Sequence, residues 1–401
     1  MKTASSVRPM GSSVFVIRYF NFKSGQLAGS LLAAALTILS IFPIVGLAAE
    51  SAPAADLKSV SSQGLADLVL EKGHANLCVL TNAPYVRLDD APAVRCLDTI
   101  TDITGCTQGR GNLLFYHASV TGGPRIVLFR KDTGRAILMT ARGGSGDRLT
   151  SPCSPVEAKS GTAAFQAVTL DIGPQKIVEP EAYKSIMKQV GEPAEAFSIA
   201  GILSAWALGA PYDFMKCCEF HNHYCPGVTI GYFIARIVLD KYPLSKGQKY
   251  VWIGSPAKCG DDAIQVLLDL TPSKRTCYIK ELTPAQKKAI TVEEPLNNVM
   301  GMLVVWDNAR NQGRAAVFKY DWGKACQVSG LKYADFNPDG GAANPLFWTS
   351  RLKSNLAMIR YFDRPSEFVS VAREVEVSPE MYVRLISAGT NPYEAIGLVK
   401  P

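Results

Sequence analysis

A chain of 401 residues is long enough for two domains of ordinary size, and its 47% hydrophobic and 19% charged residues describe a globular protein. The net charge is +7, but four basic residues and no acidic residue come before residue 50, so the remainder carries only +3. Because no basic run is interleaved with aromatic residues, this balance gives no reason to expect a nucleic-acid partner.

The first 49 residues have the layout of a secretory signal. A basic segment is followed by an uncharged apolar run over residues 27–45 and by small residues ending at Ala48 and Ala49. The run is also long enough for an uncleaved membrane anchor. In either case we expect export, to the periplasm, with attachment to the inner membrane as the alternative. Residues 50–56, rich in Ala and Ser, predict a short linker.

The rest of the chain predicts two similar series of elements, which we call the first half (residues 50–200) and the second half (residues 201–401). The first series is a helix over 65–72, a strand over 76–80, a helix beginning at Cys96, a hairpin with strands at 125–129 and 135–139, and a helix beginning at Pro180. The second is a helix ending at 241, a strand over 249–253, a helix beginning at Cys259, a hairpin with strands at 303–306 and 314–318, and a helix beginning at Pro379.

Four matched segments in the same order predict an internal duplication, with chance similarity of short amphipathic pieces as the alternative. Short strands, hairpins and separate helices predict an α+β fold, and no nucleotide-binding fingerprint is present. Residues 143–173, rich in Gly, Ser, Thr and Pro, are expected to form an irregular connection. Residues 194–208 predict an apolar helix leading into the second half.

Residues 220–227, with the sequence F-H-N-H-Y-C-P-G, hold His221, His223 and Cys225. Imidazole and thiolate are ligands that zinc, nickel and copper prefer. In an extended segment these three side chains would share one face. Pro226 and Gly227 then open a helix whose dipole would stabilise a thiolate at Cys225. The pattern therefore predicts a metal site.

The F-H-x-H-x-C-P-G stretch and the C-G-D-D-A-I-Q stretch at 259–265 together resemble the FmdE-like family, which is associated with formylmethanofuran dehydrogenase. The G-C-T-Q-G-R-G-N stretch at 105–112 resembles the glycine loop of the same family, with Arg110 in place of lysine. The resemblance covers most of residues 205–330, extends to both halves, and implies a metal-binding accessory protein. An exported chain does not inherit the function of the cytoplasmic complex after which the family is named.

Each half lacks what the other retains, since the metal loop lies in the second half and the glycine loop in the first. We therefore predict a fused pseudo-dimer with one composite site. Gly109, Arg110 and Gly111 would supply backbone N–H groups and one cation to an anionic group of a ligand. A plain glycine-rich turn is the alternative interpretation.

The predicted metal ligands are His223, Cys225 and Cys259, with His221 either a ligand or hydrogen-bonded beside them. Three protein ligands would leave an open coordination position, and four would close it. Zinc is the expected metal, with nickel or a tetrapyrrole-bound metal as alternatives. If a reaction occurs, the catalytic candidates are Cys225 and Asp262, the latter as a base for metal-bound water, although such an Asp is most often a helix cap.

Other conspicuous residues are predicted to be structural. Cys217 and Cys218 are interpreted as buried bystander thiols, and His74 and His117 as surface or satisfied core residues. The helical spacing of Trp348, Leu352, Leu356 and Ile359 favours core packing over a cofactor site. Ten cysteines in an exported protein leave room for one or two disulfides among Cys106, Cys153, Cys277 and Cys326. Without a Cys-x-x-Cys pair, no zinc ribbon is predicted.

Three functions follow from these patterns. The favoured one is an exported metal-binding protein of this family, for sensing, delivery or a metal-dependent reaction. The second is a metal- or thiol-dependent enzyme. The third is a protein that binds a tetrapyrrole or other metallocofactor, with His223 or Cys225 as axial ligand. The expected partners are a metal ion or a small metallocofactor.

Overall fold

The computed structural model of the protein describes residues 52–88, 91–117, 123–141, 164–292, 296 and 298–400. The predicted secretory signal, most of the connection at 143–173 and Cys153 lie outside these residues. Among the described helices, none has the length and apolar character needed to cross a bilayer.

The first half builds one mixed sheet with helices on both faces. Its helices are α1 (Ala52–Asp67), α2 (Cys96–Thr104) and α3 (Pro180–Val190), and its strands are β1 (Leu77–Thr81), β2 (Arg87–Leu88), β3 (Ala91–Pro92), β4 (Leu113–Phe115), β5 (Arg125–Arg130), β6 (Arg135–Ala141) and β7 (Phe165–Asp171). The strand order is β4-β1-β5-β6-β7, and β2 pairs with β3 in a separate short ladder.

The second half repeats this plan around β8. Its helices, preceded by α4 (Pro193–Ala207), are α5 (Tyr212–Phe220), α6 (Pro226–Lys241), α7 (Gly260–Leu268), α8 (Pro284–Val292), α9 (Trp322–Ser329), α10 (Pro345–Met358), α11 (Pro379–Ile386) and α12 (Pro392–Ala395). Its strands are β8 (Gln248–Gly254), β9 (Cys277–Ile279), β10 (Val299–Asp307), β11 (Gln312–Tyr320) and β12 (Val369–Val377), in the order β9-β8-β10-β11-β12.

The two sheets share one strand order and one set of strand directions. Strands β1 and β8 are each parallel to a short strand, β4 or β9, and antiparallel to the first strand of a hairpin, β5 or β10. The second strand of the hairpin, β6 or β11, is antiparallel to the last strand, β7 or β12. A helix with proline in its first turn, at Pro180 or Pro379, follows the last strand in both. The α+β class is therefore confirmed, and the matched hairpins and strands occupy equivalent places.

The alternation of side chains along the strands divides the interior into three clusters. Leu77 and Val79 point toward α1 and α2, whereas Cys78 and Leu80 point into a large central cluster. That central cluster also takes in Trp252 of β8, so the two sheets share one core. The unit from 51 to 401 is accordingly a single compact body.

The two sheets meet through non-equivalent faces. Helices α1 and α2, which flank β1 in sequence, lie on the outer face of the first sheet. Helices α6 and α7, which flank β8, lie instead in the central cluster between the sheets. The helix-covered face of the first sheet thus points outward, whereas the equivalent face of the second sheet points toward the first. This is the arrangement of a head-to-tail pair, since a two-fold axis would bring the same face of both sheets together.

Three local predictions in the first half were wrong. The expected linker at 52–56 belongs to α1, where Pro53 and the surrounding alanines suit a helix start. The helix expected over 65–72 ends at Asp67, and Val69 has a left-handed φ of 54°. The connection at 143–173 contains the edge strand β7, which is largely exposed and so lacks an apolar signal.

The second half follows the sequence predictions more closely. The helix expected to follow Cys225 is α6, and the apolar helix expected over 194–208 is α4. The boundary drawn between residues 200 and 201 falls inside α4, because this helix packs in the core that both sheets share.

Candidate metal centre

The histidine and cysteine loop is a tight turn rather than the extended segment that the sequence predicted. His221 ends α5 with helical dihedral angles, and Asn222 has a left-handed φ of 65°. The chain then reverses, so that Tyr224 is buried and Cys225 caps the amino end of α6. His221 and Cys225 therefore meet across a turn, not along one face of a strand.

Glycines allow α6 and α7 to start side by side. A side chain on Gly231 would collide with the carbonyl oxygen of Gly260, and a Cβ on Gly227 would lie 2.6 Å from the Cβ of Cys259. This close approach brings Cys259, at the amino end of α7, beside Cys225, at the amino end of α6. Both thiols thus lie where helix dipoles stabilise negative charge.

His221, Cys225 and Cys259 each direct one donor atom to a common point. These donor atoms all lie within 4.8 Å of one another, and Cys225 Sγ is 3.5 Å from His221 Nε2. A sulfur at about 2.3 Å and a nitrogen at about 2.0 Å from one tetrahedral zinc ion would be about 3.5 Å apart. The geometry of these three residues is therefore compatible with metal binding.

Asp262 fixes the orientation of His221. Its Oδ2 is 2.7 Å from His221 Nδ1, which leaves Nε2 facing the thiols, and Gln265 Nε2 donates to its Oδ1 at 3.3 Å. Carboxylates commonly hold metal-ligating histidines in this way. The general-base role considered for Asp262 stays a prediction, and the contact seen in the structure orients the His221 ring.

The two thiols differ strongly in acidity. Hydrogen bonds from Cys225 and then from His221 lower the pKa of Cys259 to about 4. The hydrogen bond to Cys259, together with burial, raises the pKa of Cys225 well above its usual value. Burial alone would lower the pKa of His221, but its contacts with Asp262 and Cys259 raise it to about 9. A thiolate is therefore already present for a metal at neutral pH.

His223 lies beside the group of three without belonging to it. Its ring is 4.3 Å from the ring of His221 and 5.5 Å from that of Phe197, measured between centroids. Burial, and then the neighbouring His221, lower the pKa of His223 to about 4. The His223 imidazole is thus uncharged at neutral pH. The sequence named His223 as a principal ligand and His221 as the optional one, and the ligand role of His223 stays a prediction.

A cavity of ≈ 500 Å³ opens directly at this centre, and His223, Cys225 and Cys259 form part of its wall. This volume is in the range of small-molecule sites. The aromatic residues lining the cavity are Phe197, Trp322, Tyr333, Phe336, Phe347 and Trp348. A bound ion would therefore border a space large enough for a small organic molecule.

Two residues of α10 line this cavity, a role that the sequence analysis did not give them. Trp348 packs against the central cluster as predicted, but it is only half-buried and also faces the cavity. Leu352 is fully buried as predicted. Arg351 lies on the same side of the cavity as Trp348, three residues away on the helix. The signal available in the sequence was this pairing of a tryptophan and an arginine at helical spacing.

The first half reaches the metal loop through His117, which is exposed, in agreement with its interpretation as a surface residue. Its backbone N–H donates to Asn222 Oδ1, and its carbonyl accepts from Asn222 Nδ2 at 2.8 Å. Its ring stacks on Tyr85 with a centroid separation of 3.7 Å, and the residue lines the cavity. The cavity is therefore bounded by both halves.

The glycine loop lies away from this cavity. Arg110 donates to the carbonyl of Gly105 at 3.1 Å, and the carbonyl of Gly111 accepts from Trp206 Nε1 at 3.2 Å. Gly111 also packs on Tyr212. These contacts join the loop to α4 and α5, and the ligand-binding role of Gly109, Arg110 and Gly111 stays a prediction.

The remaining described cysteines are free thiols. Of the four considered for disulfides, Cys106, Cys277 and Cys326 are unbonded, and Cys153 lies outside the described residues. Cys217 and Cys218 are buried as expected, and burial raises the pKa of both. In the described part of the chain, the candidate metal centre is thus the place where cysteines gather with a histidine.

Comparison with known proteins bears on the same stretch of sequence. Residues 220–327 match the sequence model of a family described as "FmdE, Molybdenum formylmethanofuran dehydrogenase operon". No curated protein matches the chain. Since the matched stretch contains His221, Cys225 and Cys259, the segment that forms the candidate metal centre is FmdE-like.

Proposed function

We propose that this is an exported protein that binds one transition-metal ion, zinc or nickel, through His221, Cys225 and Cys259. The observation that carries the proposal is the convergence of three donor atoms within 4.8 Å. Nitrogen and thiolate sulfur select such metals over magnesium or calcium. The hydrogen bond from His221 to Asp262 adds the support that metal-binding histidines usually have.

Three protein ligands suit a site that also binds a small molecule. A bound ion would keep a coordination position for an oxygen or nitrogen atom of a ligand. Cys259 and His223 both line the ≈ 500 Å³ cavity, so that position would be reached from there. We therefore favour sensing, delivery or a reaction of a small molecule over a purely structural metal.

The metal content of the purified protein tests this proposal. We expect about one zinc or nickel ion per chain by mass spectrometry, and loss of that ion in His221→Ala and Cys259→Ser. Cys326→Ser is the matched control, because Cys326 is a free thiol that lies outside the cluster. A folded wild-type protein that neither retains nor takes up a metal would refute the proposal.

The acidity of Cys259 favours a thiol-dependent enzyme as the second candidate. Cys259 is exposed, and its pKa of about 4 makes it a thiolate at neutral pH. Cys225, the nucleophile considered from the sequence, is buried and more basic. If the protein contains no metal, faster alkylation of Cys259 than of Cys326 would demonstrate the reactive thiolate that such an enzyme requires, and equal rates would count against it.

Export is proposed on the basis of the sequence. The basic segment and the apolar run at 27–45 support it. We expect the body of the protein in the periplasmic fraction, with a new amino terminus near Ala49 if the segment is cleaved. Recovery of the full-length chain from the cytoplasm alone would contradict export.

We also infer that the two halves arose by internal duplication. Their shared strand order and directions support the inference, together with the prolines that start α3 and α11. Residues 77–190 should superpose on residues 248–386 strand for strand in a crystal structure of the protein. A failure of the hairpins to coincide would contradict this origin.

A further inference from the structure

Two groups of aromatic side chains line the cavity at the metal centre, and we call each group an aromatic wall. In the first wall, Phe197 and Trp348 are 5.1 Å apart between ring centroids, and Phe347 is 5.0 Å from Trp348. In the second, Trp322 lies 5.9 Å from Phe336. Of these rings, Trp322, Phe347 and Trp348 are only half-buried.

Aromatic faces left open in this way are suited to stacking against a flat ring. Tyr333, which is 60% exposed, extends the second wall. A ligand that covered these rings would bury apolar surface that the protein alone leaves in contact with water. The shape and composition of the walls therefore favour a planar, aromatic occupant.

Arg351 provides a fixed positive charge in the same cavity. Its guanidinium lies 3.5 Å from the ring centroid of Phe347, and its Nη1 donates to the carbonyls of Phe336 and Phe347, both at 2.6 Å. Within the described part of the chain, no carboxylate forms an ion pair with it. A guanidinium held in place with donors to spare is suited to a carboxylate.

The other charges around the cavity are already balanced. Glu195, an acidic residue in the lining, is 3% exposed and accepts hydrogen bonds from Arg125 and Tyr116, both at 2.7 Å. A bound divalent ion would neutralise the thiolates of Cys225 and Cys259. Among the charged side chains that line the cavity, Arg351 is then the one without a charged partner, since Asp262 pairs with His221 and is not among the lining residues.

We propose that the cavity binds a small planar aromatic carboxylate, whose ring stacks on the aromatic side chains of these walls and whose carboxylate pairs with Arg351. The inference rests on the proposed function, because it places the ligand beside the bound metal. A volume of ≈ 500 Å³ suits one or two rings. Binding would bring such a molecule to the open coordination position.

The test compares 2-naphthoate with its neutral analogue 2-naphthamide on the metal-loaded protein, by calorimetry and by quenching of tryptophan fluorescence. We expect naphthoate to bind at least about tenfold more tightly, because the hydrogen bond to Arg351 is charge-assisted. Arg351→Gln should abolish this preference, which is read as the ratio of the two affinities in the same variant. Arg351→Lys should restore it in part, since lysine keeps the charge without the planar fork.

Arg360→Gln is the control, because Arg360 is an exposed arginine soon after α10 that does not line the cavity. Equal affinities for naphthoate and naphthamide in the wild type would overturn the inference, as would a preference that survives Arg351→Gln. A tetrapyrrole absorption band in the purified protein would also overturn it. The metal content of each sample is measured separately, so a metal-free protein refutes the proposed function, whereas a metal-bearing protein without the preference refutes only this inference.

Discussion

Asp262 determines which nitrogen of His221 faces the two thiols. Its carboxylate lies 2.7 Å from Nδ1, and Gln265 holds the other carboxylate oxygen at 3.3 Å. Because its pKa is raised to about 9, the imidazole must lose the Nε2 proton when a metal binds, and the remaining proton on Nδ1 then bonds to Asp262. The positioning of His221 therefore depends on a residue 41 positions away in the sequence.

We expect Asp262→Asn to weaken metal binding by about 10- to 100-fold without unfolding the protein, because an amide holds the imidazole less firmly than a carboxylate does. Competition with a chromophoric chelator measures the change in affinity. Asp269→Asn, which removes an exposed carboxylate paired with Lys274, is the control. An affinity equal to that of the wild type would show that Asp262 does not support the ligand.

At the scale of elements, the contact between α6 and α7 forms the centre. The amino ends of the helices touch because Gly227, Gly231 and Gly260 have no side chains. Cys225 and Cys259 cap these two ends and therefore lie together. The glycines are thus as necessary to the arrangement as the cysteines.

Gly231→Ala should destabilise the protein by about 3 kcal/mol through overpacking and should lower metal affinity by moving Cys259 away from Cys225. Urea unfolding and a metal titration measure the two effects. Gly173→Ala is the matched control, because a Cβ there meets its nearest neighbour at an ordinary 3.5 Å. Similar stability in the two variants would contradict the packing that the structure shows.

The carboxylate of Glu374 on β12 joins three elements. It accepts a hydrogen bond from the hydroxyl of Tyr242, which follows α6, and pairs with Arg314 of β11. The hydrogen bond from Tyr242, and then the charge of Arg314, lower the pKa of Glu374. The pKa of Glu374 is lower in the folded protein than its ordinary value of 4.5 in the unfolded chain. The carboxylate therefore stabilises the fold at pH values above 4.5, and this stabilisation is lost as the pH falls through the folded-state pKa.

Glu374→Gln should therefore cost about 0.5 kcal/mol at pH 7, since the pair is partly exposed, and almost nothing at pH 3. The difference in urea midpoint between variant and wild type, measured at both pH values, tests this. Asp339→Asn, at an exposed position, should show no such trend. A difference that grew toward acid pH would reverse the sign assigned to the interaction.

At the scale of the whole molecule, the two halves depend on each other. The central cluster contains side chains of both sheets, among them Leu80 and Trp252. Polar contacts cross between the halves as well, since the backbone N–H of Phe115 donates to Glu219 at 3.1 Å and His117 bonds to Asn222. The metal loop is therefore supported from the first half.

A fragment of residues 210–401 should not fold into a stable metal-binding protein, because it would expose the apolar face that the first sheet covers. Size-exclusion chromatography, circular dichroism and a metal titration test this. The intact body of the protein, residues 51–401, is the reference. Cooperative unfolding and metal binding by the fragment would show that the second half is independent.

The sequence alone was sufficient for the class of the fold, for the paired hairpins and for the ligand types. Alternating apolar residues, turn residues and the Pro226-Gly227 helix start are local signals, and local signals determine elements. The start of α1 at 52–56 and strand β7 were missed because their Ala- or Thr-containing sequences carry no clear apolar periodicity. His221, Cys225 and Cys259 were named because imidazole and thiolate chemistry is visible in a sequence.

The tertiary structure decided how those residues meet and what surrounds them. The turn at Asn222, the contact between Gly231 and Gly260, and the carboxylate of Asp262 depend on distances between segments far apart in the chain. The cavity lining, with Trp348 and Arg351, likewise combines α4, α9 and α10. Local patterns identify helices and candidate ligands, but packing alone determines which side chains share a space, because side-chain contacts form between elements and not within them.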